Sequence, residues 1–258
     1  MEDQLRFLRG LEPRNAGQAS YAAILKAAAG LFQQFPADAI TLRDILTLSG
    51  VSNQTLYNYF PAGRDDVALV LFDHFQRDVV TSFNNANRAI NWEALPDPAD
   101  ITGVMSASLA RAAIGNLKEN LRLQASVFEY LKAHRLDASA APTLGLEEAL
   151  SQEILLRYGN RFSREELPKV VRLSVRVLRD IAEVAMTHPE FALEGLESKA
   201  RKLLRPLLQS GVKGDGPISG NHESLPDIPV PMAIVGAPIS PARRQTILAR
   251  ILKRKAKP

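Results

Sequence analysis

Apolar residues recur at intervals of three and four along most of this chain, and alternating apolar and polar runs are few, so the pattern predicts helices. The first clear one covers 20–35, SYAAILKAAAGLFQQF, with Ile24, Ala28, Leu31, Phe32 and Phe35 on one stripe and Pro36 closing it. A second begins at Thr41, whose hydroxyl can cap the N-terminus while Asp44 reaches back, and Leu42, Ile45, Leu46 and Leu48 supply its buried side. Gly50 stands where a chain leaving a helix often needs positive φ, Val51 follows as an apolar plug, and Ser52 is a fresh cap. In the third helix Leu56 and Phe60 share one face, and the rows Asn53 with Tyr57 and Gln54 with Asn58 turn away from it.

Two short helices joined by a glycine turn make a helix-turn-helix, and those outward rows carry the groups a DNA groove would meet. Asn and Gln pair bidentately with adenine, Tyr and Thr hydroxyls reach phosphates, and free amides at a helix N-terminus favour an anion. A plain helical hairpin with a polar surface is the competing reading.

Further helices are predicted over 65–89, 98–117, 120–134, 144–158, 164–187 and 189–209, which makes the fold all-α. In the last two, Val170, Leu173, Val177, Ile181 and Val184 form one stripe and Leu193, Leu196, Ala200, Leu203 and Leu207 another. Either stripe could complete a core or meet a second copy of the chain. The segment ITGVMSASLARAAIG, rich in small residues, recurs in pattern with Phe83, Trp92, Met105, Phe128, Leu131 and Tyr158. Simple core packing explains this set, and so does a cavity for a small apolar ligand lined by Trp92, Met105, Phe128 and Tyr158. Residues 211–238 are dense in glycine and proline and cannot continue a bundle, so they read as a linker. Beyond them Ile247, Leu248, Ile251 and Leu252 share one face of a short helix ringed by basic residues. A DNA arm, a surface-seeking helix for anionic lipid or a protein groove, and a solvated tail all fit that segment.

Charge sharpens the picture. The chain carries +4, yet residues 240–258 alone hold seven Lys and Arg and no acid, so everything before residue 240 sums to −3. Residues 1–80 hold seven basic against nine acidic side chains, an unusual balance for a segment expected to face phosphate. Zero cysteine excludes disulfides and thiolate metal sites, the N-terminus lacks the apolar core of a signal peptide, and PVPMAIVGAPI is too short and proline-broken to span a bilayer. A cytoplasmic location is therefore expected. An enzyme is not: His74, His134, His188 and His222 have no metal-ligand spacing, and Gly214, Gly216 and Gly220 miss the dinucleotide fingerprint. No Gly-x-Ser-x-Gly elbow or phosphate-binding glycine loop occurs, so no catalytic residue, metal or cofactor is expected.

Residues 20–72 resemble the N-terminal domain of the TetR family of transcriptional repressors. The family's Thr-x-Arg-Asp-Ile start of helix two appears as Thr41, Arg43, Asp44 and Ile45. Its Gly-Val-Ser turn is Gly50, Val51 and Ser52, and its Thr-Leu-Tyr-x-Tyr-Phe segment is Thr55, Leu56, Tyr57, Tyr59 and Phe60. The resemblance implies a three-helix helix-turn-helix domain followed by a helical ligand-binding and dimerisation bundle. On that basis the chain divides into an N-terminal arm (1–18), the DNA-binding domain (19–65), the bundle (66–210), the linker (211–239) and a basic amphipathic tail (240–258).

It further implies that Thr41 and Arg43 touch phosphate, that Ser52, Asn53, Gln54 and Thr55 approach bases or backbone, and that Tyr57 and Asn58 clamp flanking phosphates. Arg64 would replace the family's lysine after a loop one residue longer than usual. Pairing of the last two helices across a two-fold axis would place Val177, Ile181, Val184, Leu196, Leu203 and Leu207 in a dimer interface. Two features depart from the pattern: Asn53 stands where a basic residue is frequent, and Leu46 where a small alanine is usual. The expected protein is a homodimeric regulator, as a rule a repressor, that binds a double-stranded operator and responds to a small ligand. Its rival is an interaction protein of the same shape, with weak or non-specific DNA binding, acting through its bundle or tail.

Overall fold

The structure, a computed structural model, describes residues 2–95, 97–136, 144–188, 195–213 and, towards the C-terminus, 239–242, 244–247 and 249. Among the described residues the fold is all-α and no strand occurs; Phe162 and Val212 form an isolated bridge. The chain divides into two compact units, one of Met1–Asp73, Arg122–Ala141 and Ile234–Pro258, the other of His74–Leu121 and Pro142–Ala233.

The first unit contains α1 (Glu2–Leu11), α2 (Gln18–Gln34), α3 (Leu42–Ser49) and α4 (Asn53–Tyr59), with the start of α5 (Arg64–Ala89) and the end of α6 (Pro98–Ala133). The stripe of α2 does what its spacing predicts: Ile24, Ala28, Leu31, Phe32 and Phe35 are all buried, together with Ile45 of α3, Leu56 of α4 and Phe60. The N-terminal residues expected to form an arm are helical over Glu2–Leu11. Leu8 of α1 is buried, and the Arg9 guanidinium grips the buried Asp73 carboxylate with two nitrogens, Nε at 3.2 Å from Oδ2 and Nη2 on Oδ1. Gly17 lets Tyr59 approach the start of α2, since a Cβ there would lie 2.1 Å from the Tyr59 hydroxyl.

The second unit is built from the remainder of α5 and α6 with α7 (Leu144–Tyr158), α8 (Leu167–Thr187) and α9 (Leu196–Ser210). Residues 101–110 of α6 are buried all round, as a helix that mixes Ile101, Val104, Met105 and Leu109 with small Thr, Ser and Ala can be. Phe83, Leu150, Ile154, Phe162, Val171, Val175, Leu178, Leu204 and Leu208 complete the core. After α9 the chain returns to residues 161–163, where Ser163 N donates to Gly211 O at 2.7 Å and Lys213 N to Arg161 O at 2.6 Å. The Phe162 ring fills the space a Gly211 side chain would need.

Most helix spans agree with the periodicity to within a few residues. The predicted helices 98–117 and 120–134 are one element, α6, broken only at Asn120, whose φ of −125° and ψ of 17° leave the helical region. Pro168 in the first turn starts α8 at Leu167 rather than 164. The start expected at 189 lies outside the described residues, and so does the linker 214–238.

Asp78 of α5 is a half-buried carboxyl in the second unit, and burial pushes it up from 3.8 to about 6 despite the charge of Arg77. A raised carboxyl pKa favours the protonated form on folding. The stabilisation is therefore complete below the unfolded value and is lost as pH rises through about 6. Asp78→Asn is expected to stabilise the protein by about 1 kcal/mol at pH 7.5, after allowance for solvent screening, and by almost nothing at pH 4. Thermal melts of both proteins at the two pH values check this.

Candidate nucleic-acid interface

The helix-turn-helix is set by local chemistry at both of its caps. Thr41 Oγ1 donates to Asp44 Oδ2 at 2.5 Å and accepts from Asp44 N at 3.3 Å, while Asp44 Oδ2 also accepts from Thr41 N at 2.9 Å, a complete capping box. The hydroxyl proton of Thr41 is thus held inside the protein. Gly50 ends α3 with φ of 72°, which a side chain would strain. Ser52 Oγ then accepts from Thr55 N at 3.0 Å and lies 2.8 Å from Thr55 Oγ1, capping α4.

Leu56 and Phe60 anchor α4 from beneath. Tyr21 of α2 stacks on Phe60 at 5.2 Å and meets Tyr59 edge-on at 5.6 Å, so the ring at 59 faces inward while Tyr57 is 44% exposed. Ser52, Asn53, Gln54, Tyr57 and Asn58 are all exposed, as is Arg43 on α3, and Thr55 is half-buried. Asn53, Gln54, Tyr57 and Asn58 are the exposed side chains of α4, and with the Ser52 cap they make a surface of donors, acceptors and one phenol suited to a groove edge. Leu46 is only half-buried, so its bulk is taken up near the surface of the domain.

Arg64 has a different setting from the other residues expected at DNA. Its Nε donates to Tyr130 Oη at 2.8 Å, its Nη1 to the carbonyl of Ile40, and its guanidinium carbon lies 4.5 Å from the Tyr130 ring centroid. Tyr130 Oη in turn donates to Asp65 Oδ1. Burial and that hydrogen bond push the phenol up to about 12, so it stays a neutral relay between cation and carboxylate. His134 stacks on Tyr130 at 4.0 Å; its Nδ1 donates to the Tyr130 carbonyl at 2.9 Å, which leaves Nε2 to accept from Arg64 at 3.5 Å. The cluster ties the residue before the α3 cap to the end of α6. Nothing in the sequence pattern marked Tyr130, Asp65 or Ile40 for this, because their partners stand 24 to 66 residues away.

The residues expected at a dimer interface are in the second unit. On α8 the buried side is Val170, Val171, Ser174, Val175, Leu178 and Ala185, whereas Leu173 and Val184 are 48% and 49% exposed and Val177 and Ile181 half-buried. On α9 Ala200, Leu204 and Leu208 turn inward; Leu203 is 52% exposed, and Leu196 and Leu207 are half-buried. Each helix therefore carries two apolar stripes, one used in the core and one facing out.

Of the residues expected to line a cavity, Met105 and Tyr158 are buried in the core of the second unit, where Tyr158 Oη lies 2.6 Å from Thr102 Oγ1. Trp92 is half-buried there, its Nε1 donating to Asn87 O at 2.7 Å with the Arg157 guanidinium 4.7 Å from its ring. Phe128 belongs to the first unit, against Phe72.

Among the described residues no group of three or more His, Cys, Asp or Glu is placed to hold a metal ion, and no helix is long and apolar enough to cross a membrane. Compared with known proteins, residues 24–69 match the profile of the family described as bacterial regulatory proteins, tetR family. That segment runs from the core stripe of α2 through α4 to the first turns of α5. No curated protein and no solved structure gives a significant match.

Proposed function

We propose that this chain, a DNA-binding transcriptional regulator with a TetR-family N-terminal domain, is a cytoplasmic homodimeric repressor that reads a pseudo-palindromic operator and is released by a small ligand. The observation that carries the reading is the exposed outer row of α4 on a doubly capped, core-anchored scaffold. Asn53 and Gln54 contact bases, Ser52 and Thr55 base edges or backbone, and Arg43, Tyr57 and Asn58 phosphates. The outward stripes of α8 and α9 support dimerisation. A dimer holds two recognition helices about 34 Å apart, one turn of the duplex, which is what a palindromic site requires. The ligand would occupy the second unit around Trp92, Met105 and Tyr158. A preference of about 1 to 3 kcal/mol for a dimer with wrongly spaced readers is enough for release.

The test is a mobility shift on DNA flanking the gene. Asn53→Ala and Tyr57→Ala together are expected to weaken the specific complex about 30-fold or more, since each base or phosphate contact is worth roughly 1 to 3 kcal/mol. Neither side chain is buried, so the melting temperature should hold. The acidic balance of residues 1–80 favours a second reading, a regulator-shaped interaction protein. Sequence-indifferent binding that survives both substitutions would establish that reading instead.

A further inference from the structure

Helix α1 lies outside the segment that matches the family, which begins at residue 24, yet it belongs to the reading unit and packs directly against the recognition helix α4. Two contacts fix it in that unit. Leu8 is 1% exposed, an apolar anchor for the helix. Arg9 grips Asp73 of α5 with two nitrogens, and the Asp73 side chain is itself only 1% exposed. A carboxylate at that depth is costly unless it is paired, and a guanidinium fork satisfies both of its oxygens in one orientation. The pairing therefore sets where α1 stands as well as holding it there.

The chain that leaves α1 reaches α4 a second time. Gly17, where this segment meets α2, comes so close to the Tyr59 hydroxyl that a Cβ would collide with it. Tyr59 is a half-buried ring of α4 held edge-on by Tyr21, whereas Asn53, Gln54, Tyr57 and Asn58 stay open. The N-terminal residues thus bear on α4 and leave its polar row exposed. With seven residues, α4 is too short to be stable on its own hydrogen bonds, so its heading is set by what packs on it. Contacts to base edges tolerate little misplacement of the helix that carries them.

We infer that α1 is a clamp this chain adds to the helix-turn-helix, and that Arg9 is a positioning residue for DNA reading: through Asp73 it holds α1 against α4 and does not itself meet the duplex. This rests on the DNA-binding reading proposed above.

The test uses the full chain and separates position from stability and from charge. Arg9→Ala strands the Asp73 carboxylate, so it is expected to lower the melting temperature. Well below the melt it should also weaken binding to the DNA flanking the gene about tenfold, the size of one coupling between packed neighbours. Binding to a random-sequence duplex, which depends on charge, should change by less than about twofold. Arg9→Ala combined with Asp73→Asn puts a neutral amide in place of the stranded charge. The melting temperature should then recover most of its loss, while affinity for the flanking DNA stays low because the tether is still missing. In both variants the slope of log K against log salt should hold, whereas a lost phosphate contact lowers it by about 0.9. Arg9→Lys, which keeps the charge and loses the fork, should fall between the unsubstituted protein and Arg9→Ala. If Arg9→Ala does not fold, the double variant and Arg9→Lys carry the comparison.

Affinity that recovers together with the melting temperature in the double variant would make the pair a feature of stability only and overturn the inference. A slope lower by about 0.9 would put the Arg9 guanidinium on phosphate and overturn it as well. Either result leaves the regulator reading intact if Asn53→Ala and Tyr57→Ala still weaken the specific complex. No specific complex with the unsubstituted chain would overturn both.

Discussion

Leu203→Asp is expected to turn the proposed dimer into a monomer in sedimentation at micromolar concentration, while helical content and melting temperature stay close to those of the unsubstituted protein. The two halves of this expectation come from the two stripes of α9. Leu203 is 52% exposed within one chain, so replacing it disturbs the chain's own core by no more than about 0.5 kcal/mol. In the proposed dimer the same side chain is desolvated, and a two-fold interface takes the substitution twice. An unpaired carboxylate enclosed by apolar residues costs several kcal/mol, so dissociation should strengthen by about a thousandfold or more. Leu204→Asp is the contrasting control: its side chain is fully buried in the core, and the chain should fail to fold. A Leu203→Asp protein that remains dimeric would remove α9 from the interface, and the outward stripe would need another explanation.

Arg64→Ala is expected to destabilise the first unit by roughly 2 to 4 kcal/mol, the sum of charge-assisted hydrogen bonds and a half-buried cation–π contact. In a domain of this size that lowers the melting temperature by roughly 10 °C. Arg64→Lys should recover only part of the loss, because an ammonium cannot reach Tyr130 Oη and Ile40 O with the fork the guanidinium provides. Calorimetry separates this from the role that the family resemblance implies. A residue serving only phosphate would change affinity and salt dependence and leave the melt untouched. A large fall in melting temperature without DNA is the outcome the Tyr130 cluster demands.

These residues also show where the sequence was legible. Thr41, Asp44, Gly50 and Ser52 act within a few residues of themselves, through caps and a positive φ, so their roles could be read directly and the structure repeats them. The burial of Leu56 and Phe60 against the exposure of Asn53, Gln54, Tyr57 and Asn58 follows from a period of 3.6 residues alone. The same reasoning reaches its limit at α8. Val170 and Leu173 both fall on one apolar stripe, yet the first is in the core and the second in solvent, because periodicity finds apolar faces and cannot say which neighbour covers them.

The sequence by itself determined the helices, the two caps and turn of the reader, its outward polar row and the concentration of positive charge after residue 240. All of these depend on near neighbours or on composition. Only the tertiary structure decided that residues 2–11 pack as a helix with Leu8 inside, and that Arg64 turns away from the outer face to hold Tyr130. It alone divided the stripes of α8 and α9 into inner and outer sides and buried Ile247 within the reading unit. Each of those outcomes is a contact between residues far apart in the chain, and its energy exists only once folding has brought both partners out of water.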